Sequence, residues 1–201
     1  MVEGKTALFI GRRKPAGSAR QKPTALFIGR FQPLHKGHLF ALRYIAKRSA
    51  RVLVVIGSSQ EKGTRKNPFS ARQRKKMLEA VIAAEKLSGK GKFQEKFARS
   101  GAQTLHSKCK VFMLRDIPED GKWVAHLDAR VPEYDVCYSN NALVLKLMRA
   151  AGKEVARVPM LSRAKYRGKL VRGRMRAGKE WQSRVPSAVG KRLSGLDAGK
   201  R

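Results

Sequence analysis

Short apolar runs alternate with amphipathic helical stretches five times along this chain, and that alternation restricts the fold more than any other feature. Ala25 to Ile28 reads as a buried strand, followed by a glycine turn and a helix spanning 37–50. Residues 51–56 make a valine-rich strand of the kind found inside a parallel sheet. Ser70-Ala-Arg-Gln73 reads as a capping box, opening a helix with Met77, Leu78, Val81 and Ile82 on one face. Further strands are expected over 110–117, 135–139 and 154–158, with helices over 122–129 and 142–151, the second stopped by Gly152. A basic helical region interrupted by Gly178 and Pro186 follows. Five strands separated by helices predict a three-layer, Rossmann-like α/β domain on a five-stranded parallel sheet, with ligands at the carboxyl ends of the strands.

Two segments break the pattern. Residues 88–110 are polar, glycine-bearing and lysine-rich, and are expected to form an inserted surface loop. Near the start, Thr6-Ala-Leu-Phe-Ile-Gly-Arg12 recurs as Thr24-Ala-Leu-Phe-Ile-Gly-Arg30. Both copies continue to a proline, Pro15 or Pro33, but only the second reaches histidines. The chain is therefore divided into a basic extension (1–23) with a partial copy of the first strand, a domain over 24–190, and a basic tail (191–201). The extension is read as loose, although its apolar copy could add an edge strand or compete with the first strand.

Of the 201 residues 42% are hydrophobic, enough for a core and against wholesale disorder. The longest apolar runs are too short to span a bilayer, and no export signal is read, so a cytoplasmic location is expected. Cys109 and Cys137 lie far apart without metal-ligand spacing and are expected as reduced thiols. Forty-six Lys and Arg against 14 Asp and Glu give a formal charge of +32, a surface that attracts polyanions such as nucleic acid. Tyr166 and Trp181 are the main aromatics among the terminal basic residues, too few for stacking readout of single strands.

Gly29-Arg-Phe-Gln-Pro-Leu-His-Lys-Gly-His38 carries the chemistry. It begins at the end of the first strand and finishes where a helix starts. Gly29 allows a tight turn, Pro33 stiffens the loop, and Gly37 leaves room beside the helix start, where free N–H groups favour an anion. His35 and His38 can then donate hydrogen bonds to phosphate oxygens whose charge grows in a transition state. A zinc centre would need His106 and His126 to converge from loop and helix, so no protein-bound metal is expected.

These residues resemble the nucleotidylyltransferase superfamily, whose signature is His-x-Gly-His after the first strand. Gly29-Arg-Phe-Gln-Pro33, Gly57-Ser-Ser-Gln60, Asn67-Pro-Phe69, Asp116-Ile117 with Trp123, Tyr138-Ser139, Lys179-Glu-Trp181 and Val185-Pro-Ser-Ala-Val189 are similar, in order, to the archaeal-type nicotinamide-nucleotide adenylyltransferases. The resemblance implies transfer of an adenylyl group from ATP to nicotinamide mononucleotide, with Mg²⁺ on the triphosphate and homo-oligomers common. It places His35, His38 and Arg172 in catalysis. Gly29, Arg30, Phe31, Gly37 and Arg172 fall at the ATP, and Ser58, Asn67, Phe69, Trp123 and Asn141 at the acceptor, with Trp123 stacked on the nicotinamide ring.

The sequence departs from the family pattern at several points. Arg167 and Lys169 replace a serine and a threonine of the late motif that ends in Arg172, Asn140 replaces a glycine, Asp120 an asparagine, and Gln73 a glutamate. Cations at 167 and 169 would grip pyrophosphate with different geometry. Two other readings stay open. One is adenylyl transfer to another small phosphorylated acceptor. The other is a nucleic-acid-binding protein on a degenerate form of this fold.

Overall fold

The computed structural model describes residues 22–87 and 105–198. The first repeat copy at 6–12 and most of the polar segment, 88–104, lie outside the described residues. The remaining chain forms β1 (Thr24–Gly29), α1 (Lys36–Arg48), β2 (Arg51–Ile56), α2 (Ala71–Leu87), α3 (Leu105–Lys108), β3 (Cys109–Met113), α4 (Trp123–Asp128), β4 (Val136–Tyr138), α5 (Ala142–Ala150), β5 (Val155–Ala156), α6 (Gly168–Arg176) and α7 (Ser187–Ala198). All strand pairs are parallel, in the order β3-β2-β1-β4-β5.

Strand alternation sorts the core into two faces. Ala25, Phe27, Val52, Val54, Ile56, Val136 and Tyr138 pack with α1, α2, Val171 of α6 and Val189 and Leu193 of α7. Leu26, Ile28, Leu53, Val55 and Cys137 pack against Trp123, Val124 and Leu127 of α4 and Val144 and Met148 of α5. Helices thus cover both faces of a five-stranded parallel sheet, the expected three-layer α/β class. Ser70 and Gln73 form the expected box, with Gln73 Oε1 accepting from Ser70 N (2.8 Å) and Ser70 Oγ from Gln73 N (3.3 Å).

Several boundaries differ from the sequence reading. The third strand ends at Met113 rather than 117, because β2, its partner, ends at Ile56; Leu114 N bonds Ile56 O, and the Leu114 carbonyl then accepts from Ser59 N in the loop that follows β2. β5 is two residues long instead of 154–158, and Val158 is held by the Asn140 side chain through both N–H and C=O (3.2 and 2.8 Å) rather than by a strand. The inserted loop expected to reach 110 gives way by Leu105 to a helical turn and then to β3. α7 continues past 190, and Leu193, placed in the basic tail by sequence, is 1% exposed in the core. Cys109 and Cys137 are free thiols on β3 and β4, three strand steps of ~4.8 Å apart and beyond disulfide reach. Among the described residues no helix is long and apolar enough to cross a membrane.

Candidate active site

The loop leaving β1 is built to present two imidazoles. His35 is the N-cap of α1 and His38 is its third residue. Each ring accepts the other's main-chain N–H at Nδ1, both at 3.3 Å, forming a reciprocal capping box in which histidines stand in for the usual Ser and Glu. The rings stack with centroids 3.6 Å apart and planes 19° from parallel. Because Nδ1 is used as an acceptor on both rings, the proton of each neutral imidazole sits on Nε2, leaving two N–H donors free for a ligand.

Neutrality follows from the surroundings. Burial, and then the positive charge of Arg172, pull the His35 pKa from 6.5 down to about 4. Burial and the neighbouring His35 take His38 well below 6.5. The first turn of α1 carries no acidic residue, so the free N–H groups and dipole at this helix start favour an anion beside the two imidazoles.

The glycines set the clearances. A Cβ on Gly37 would stand 3.1 Å from His35 Nδ1 and 3.3 Å from Tyr166 Cβ, so glycine lets the chain before α6 close over the histidine pair. A Cβ on Gly168 would meet Arg172 Nη1 and Gln32 O, both at 3.0 Å. Gly29 ends β1 beneath the Phe31 ring, and that ring edges His38 at 4.9 Å. Phe31 itself has φ +50, an uncommon left-handed backbone for a non-glycine residue.

Gln32, which sequence reasoning carried only as part of a motif, is a junction. Its side chain bonds Phe69 through both C=O (2.7 Å) and N–H (3.1 Å), while its carbonyl accepts Arg172 Nη1 at 2.6 Å. Arg172 and the histidines are therefore brought together as expected, with the exposed Arg30 guanidinium near enough to add to the burial that lowers the Arg172 pKa.

The expected acceptor residues are arranged less simply. Ser58 follows β2 in a left-handed conformation, φ +48, with its N–H on Asp116 Oδ1 (3.3 Å). Asn67 is 5% exposed, and its Oδ1 has no hydrogen-bond partner among the described residues. Asn141 spends its Oδ1 capping α5 through Leu143 N (3.1 Å). Trp123 is 8% exposed and belongs to the second core face. Asn140 does not adopt a left-handed backbone; its amide ties the end of β4 to Val158. Asp120 lies in the exposed 3-10 turn before Trp123. His126 faces the Arg115 carbonyl at 3.1 Å.

Residues 26–174 match the family described as cytidylyltransferase-like. The chain is 32% identical over 172 residues to a nicotinamide-nucleotide adenylyltransferase of Archaeoglobus fulgidus, covering 86% of this chain and 91% of that one. It is 36% identical over 160 residues to the Methanolobus tindarius enzyme of the same name, covering 80% and 81%. Among solved structures, a bifunctional NMN adenylyltransferase/ADP ribose pyrophosphatase from Francisella tularensis, complexed with AMP and a manganese ion, shares the fold with a TM-score of 0.62 at 22% identity. The match covers 82% of this chain but only 44% of that bifunctional one.

Proposed function

Because the chain belongs to the cytidylyltransferase-like family, we propose that it is a nucleotidyltransferase that moves the adenylyl group of ATP onto nicotinamide mononucleotide, giving NAD and pyrophosphate. The observation that carries this reading is the reciprocal capping of His35 and His38, which leaves two uncharged Nε2–H donors at a helix N-terminus. The acceptor's phosphate oxygen attacks the α-phosphorus of ATP. A P–O bond forms as the bond bridging the α- and β-phosphates breaks, and its electron pair leaves on pyrophosphate. The nucleophile is already an anion, so no general base is required, and the work left to the protein is alignment and neutralisation of charge.

In this reading His35 and His38 donate to the phosphates, and Arg172 and Arg30 meet the charge that builds on pyrophosphate. Gly29, Phe31 and Gly37 shape the loop around the nucleotide. Ser58, Asn67, Phe69, Trp123 and Asn141 are assigned to the acceptor by their match to the family's motifs. The residues around the loop are imidazoles and guanidiniums, a set that suits phosphate oxygens, so the accompanying divalent cation is proposed to be Mg²⁺ carried on the triphosphate. Bound there, it would supply further charge neutralisation.

Titration calorimetry with nicotinamide mononucleotide and with other small phosphorylated acceptors, in the presence of a non-hydrolysable ATP analogue, tests the acceptor. Binding confined to nicotinamide mononucleotide supports the reading; binding only of another acceptor replaces it. A second reading, affinity for nucleic acid, rests on the excess of 46 Lys and Arg over 14 Asp and Glu. Filter binding to RNA across salt tests it, since several phosphate contacts predict a steep loss of affinity and a flat response removes it.

A further inference from the structure

Arg74, the fourth residue of α2, is 0% exposed, the largest fully enclosed side chain among the described residues. Every N–H of its guanidinium is directed at a main-chain carbonyl. Nε donates to Ser70 (3.3 Å), Nη1 to both Arg30 (3.0 Å) and Gly57 (2.8 Å), and Nη2 to Ser58 (2.9 Å) and Glu61 (3.4 Å). None of these partners is a carboxylate. Burial and the charge of Arg30 disfavour the cation while the charge of Asp116 favours it, and the effect specific to this side chain is the geometry its planar fork imposes on the five carbonyls.

That geometry falls at the point where the two central strands part. β1 and β2 stay in register to Gly29 and Ile56, and Gly57 N still bonds Gly29 O at 3.1 Å. Beyond this the ladder ends. One chain enters the loop of Phe31 and His35, the other the loop of Ser58 and Glu61. A single nitrogen, Nη1, holds the first carbonyl of each loop. The second loop carries the left-handed Ser58, gripped at its carbonyl by Arg74 and at its N–H by Asp116. Such a conformation persists only where its surroundings hold it on several sides.

We infer that Arg74 is a positioning residue, which sets the histidine loop against the Ser58 loop and thereby aligns the α-phosphorus of ATP with the acceptor phosphate. The inference rests on the adenylyl-transfer reading for what the two loops hold. Lysine at this position keeps the charge but has three donors on one nitrogen in place of a five-donor fork, so it cannot hold the Arg30 and Gly57 carbonyls together with those of Ser58, Glu61 and Ser70.

The test compares the full chain with its Arg74→Lys variant, below the melting temperature of both. The expected result is a kcat for NAD formation lower by roughly 30- to 100-fold with an ATP dissociation constant within about threefold, because misalignment is felt in the reaction more than in binding of one partner. Hydrogen exchange is expected to quicken together in residues 30–35 and 57–61, 13 or more positions from Arg74, more than in the body of α2. A kcat within about threefold of the parent, or faster exchange confined to α2, overturns the inference. If the parent itself forms no NAD, the acceptor reading fails, and the exchange result alone decides the positioning role. If Arg74→Lys does not fold, Asp116→Ala, which removes the exposed acceptor of the Ser58 N–H, is expected to lower kcat by roughly fivefold and loosen 57–61; an unchanged kcat and unchanged exchange then count against it.

Discussion

Arg172 Nη1 donates a 2.6 Å hydrogen bond to the carbonyl of Gln32, tying α6 to the histidine loop across 140 residues of sequence. Through this bond an arginine from the end of the domain stands close enough to His35 to help keep it neutral.

Arg172→Lys keeps the charge and loses the fork that reaches Gln32 while presenting a second face to ligand. Steady-state kinetics are expected to show kcat down by roughly 10- to 100-fold, with the pyrophosphate inhibition constant weakened as well. An unaltered pyrophosphate constant would place the arginine outside the leaving-group site.

His35→Asn separates capping from phosphate binding. Asparagine is among the best N-cap residues, so stability at pH 7 is expected to change by no more than about 1 kcal/mol. The parent behaves differently with pH. Its His35 pKa is lowered by folding from 6.5 to about 4, so the unfolded chain binds the proton first. Stability is then full above pH 6.5 and falls as pH drops toward 4, by on the order of 3 kcal/mol for this one group. Urea unfolding at pH 7 and pH 4.5 should show a steeper loss for the parent than for His35→Asn; parallel losses would contradict the assigned neutral state.

Gly37→Ala sets two effects against each other. In a helix interior alanine is favoured over glycine by about 1 kcal/mol, yet the new Cβ would stand 3.1 Å from His35 Nδ1 and 3.3 Å from Tyr166 Cβ. Thermal melting is expected to move little while NAD formation falls by roughly 10-fold or more, because the stacked pair must shift. A variant with normal activity would show that the clearance at Gly37 is not used.

These expectations divide along what a sequence can express. The alternation of strands and helices, the box at Ser70 and Gln73, and the two histidines at a strand-to-helix junction are local patterns, legible because period and spacing carry them. Gln32 and Arg74 are different. Each of their bonds has a main-chain group at one end: Phe69 for the Gln32 side chain, the Gln32 carbonyl for Arg172, and five carbonyls for Arg74; since every residue carries such groups, no side-chain pattern marks them. The ends of β3 and β5 were also illegible, because they are set by where the neighbouring strand stops. Trp123 reads as a ring for a ligand by resemblance, and the fold gives that same ring a place in the core.

Trp123 therefore needs a mild substitution. Replacing so buried an indole by alanine would cost about 3–5 kcal/mol and confuse function with folding. Trp123→Phe keeps an aromatic face and is expected to raise the KM for nicotinamide mononucleotide several-fold with the KM for ATP unchanged. Equal changes in both would make Trp123 a core residue only.

The central claim is tested most directly by incubating the purified chain with ATP, Mg²⁺ and nicotinamide mononucleotide and following NAD and pyrophosphate together. The account predicts that both form in equal amounts, and that His38→Ala, which removes one of the two Nε2–H donors, lowers the rate by roughly 100-fold or more. Absence of NAD from the parent chain, or a His38→Ala variant as fast as the parent, would contradict it.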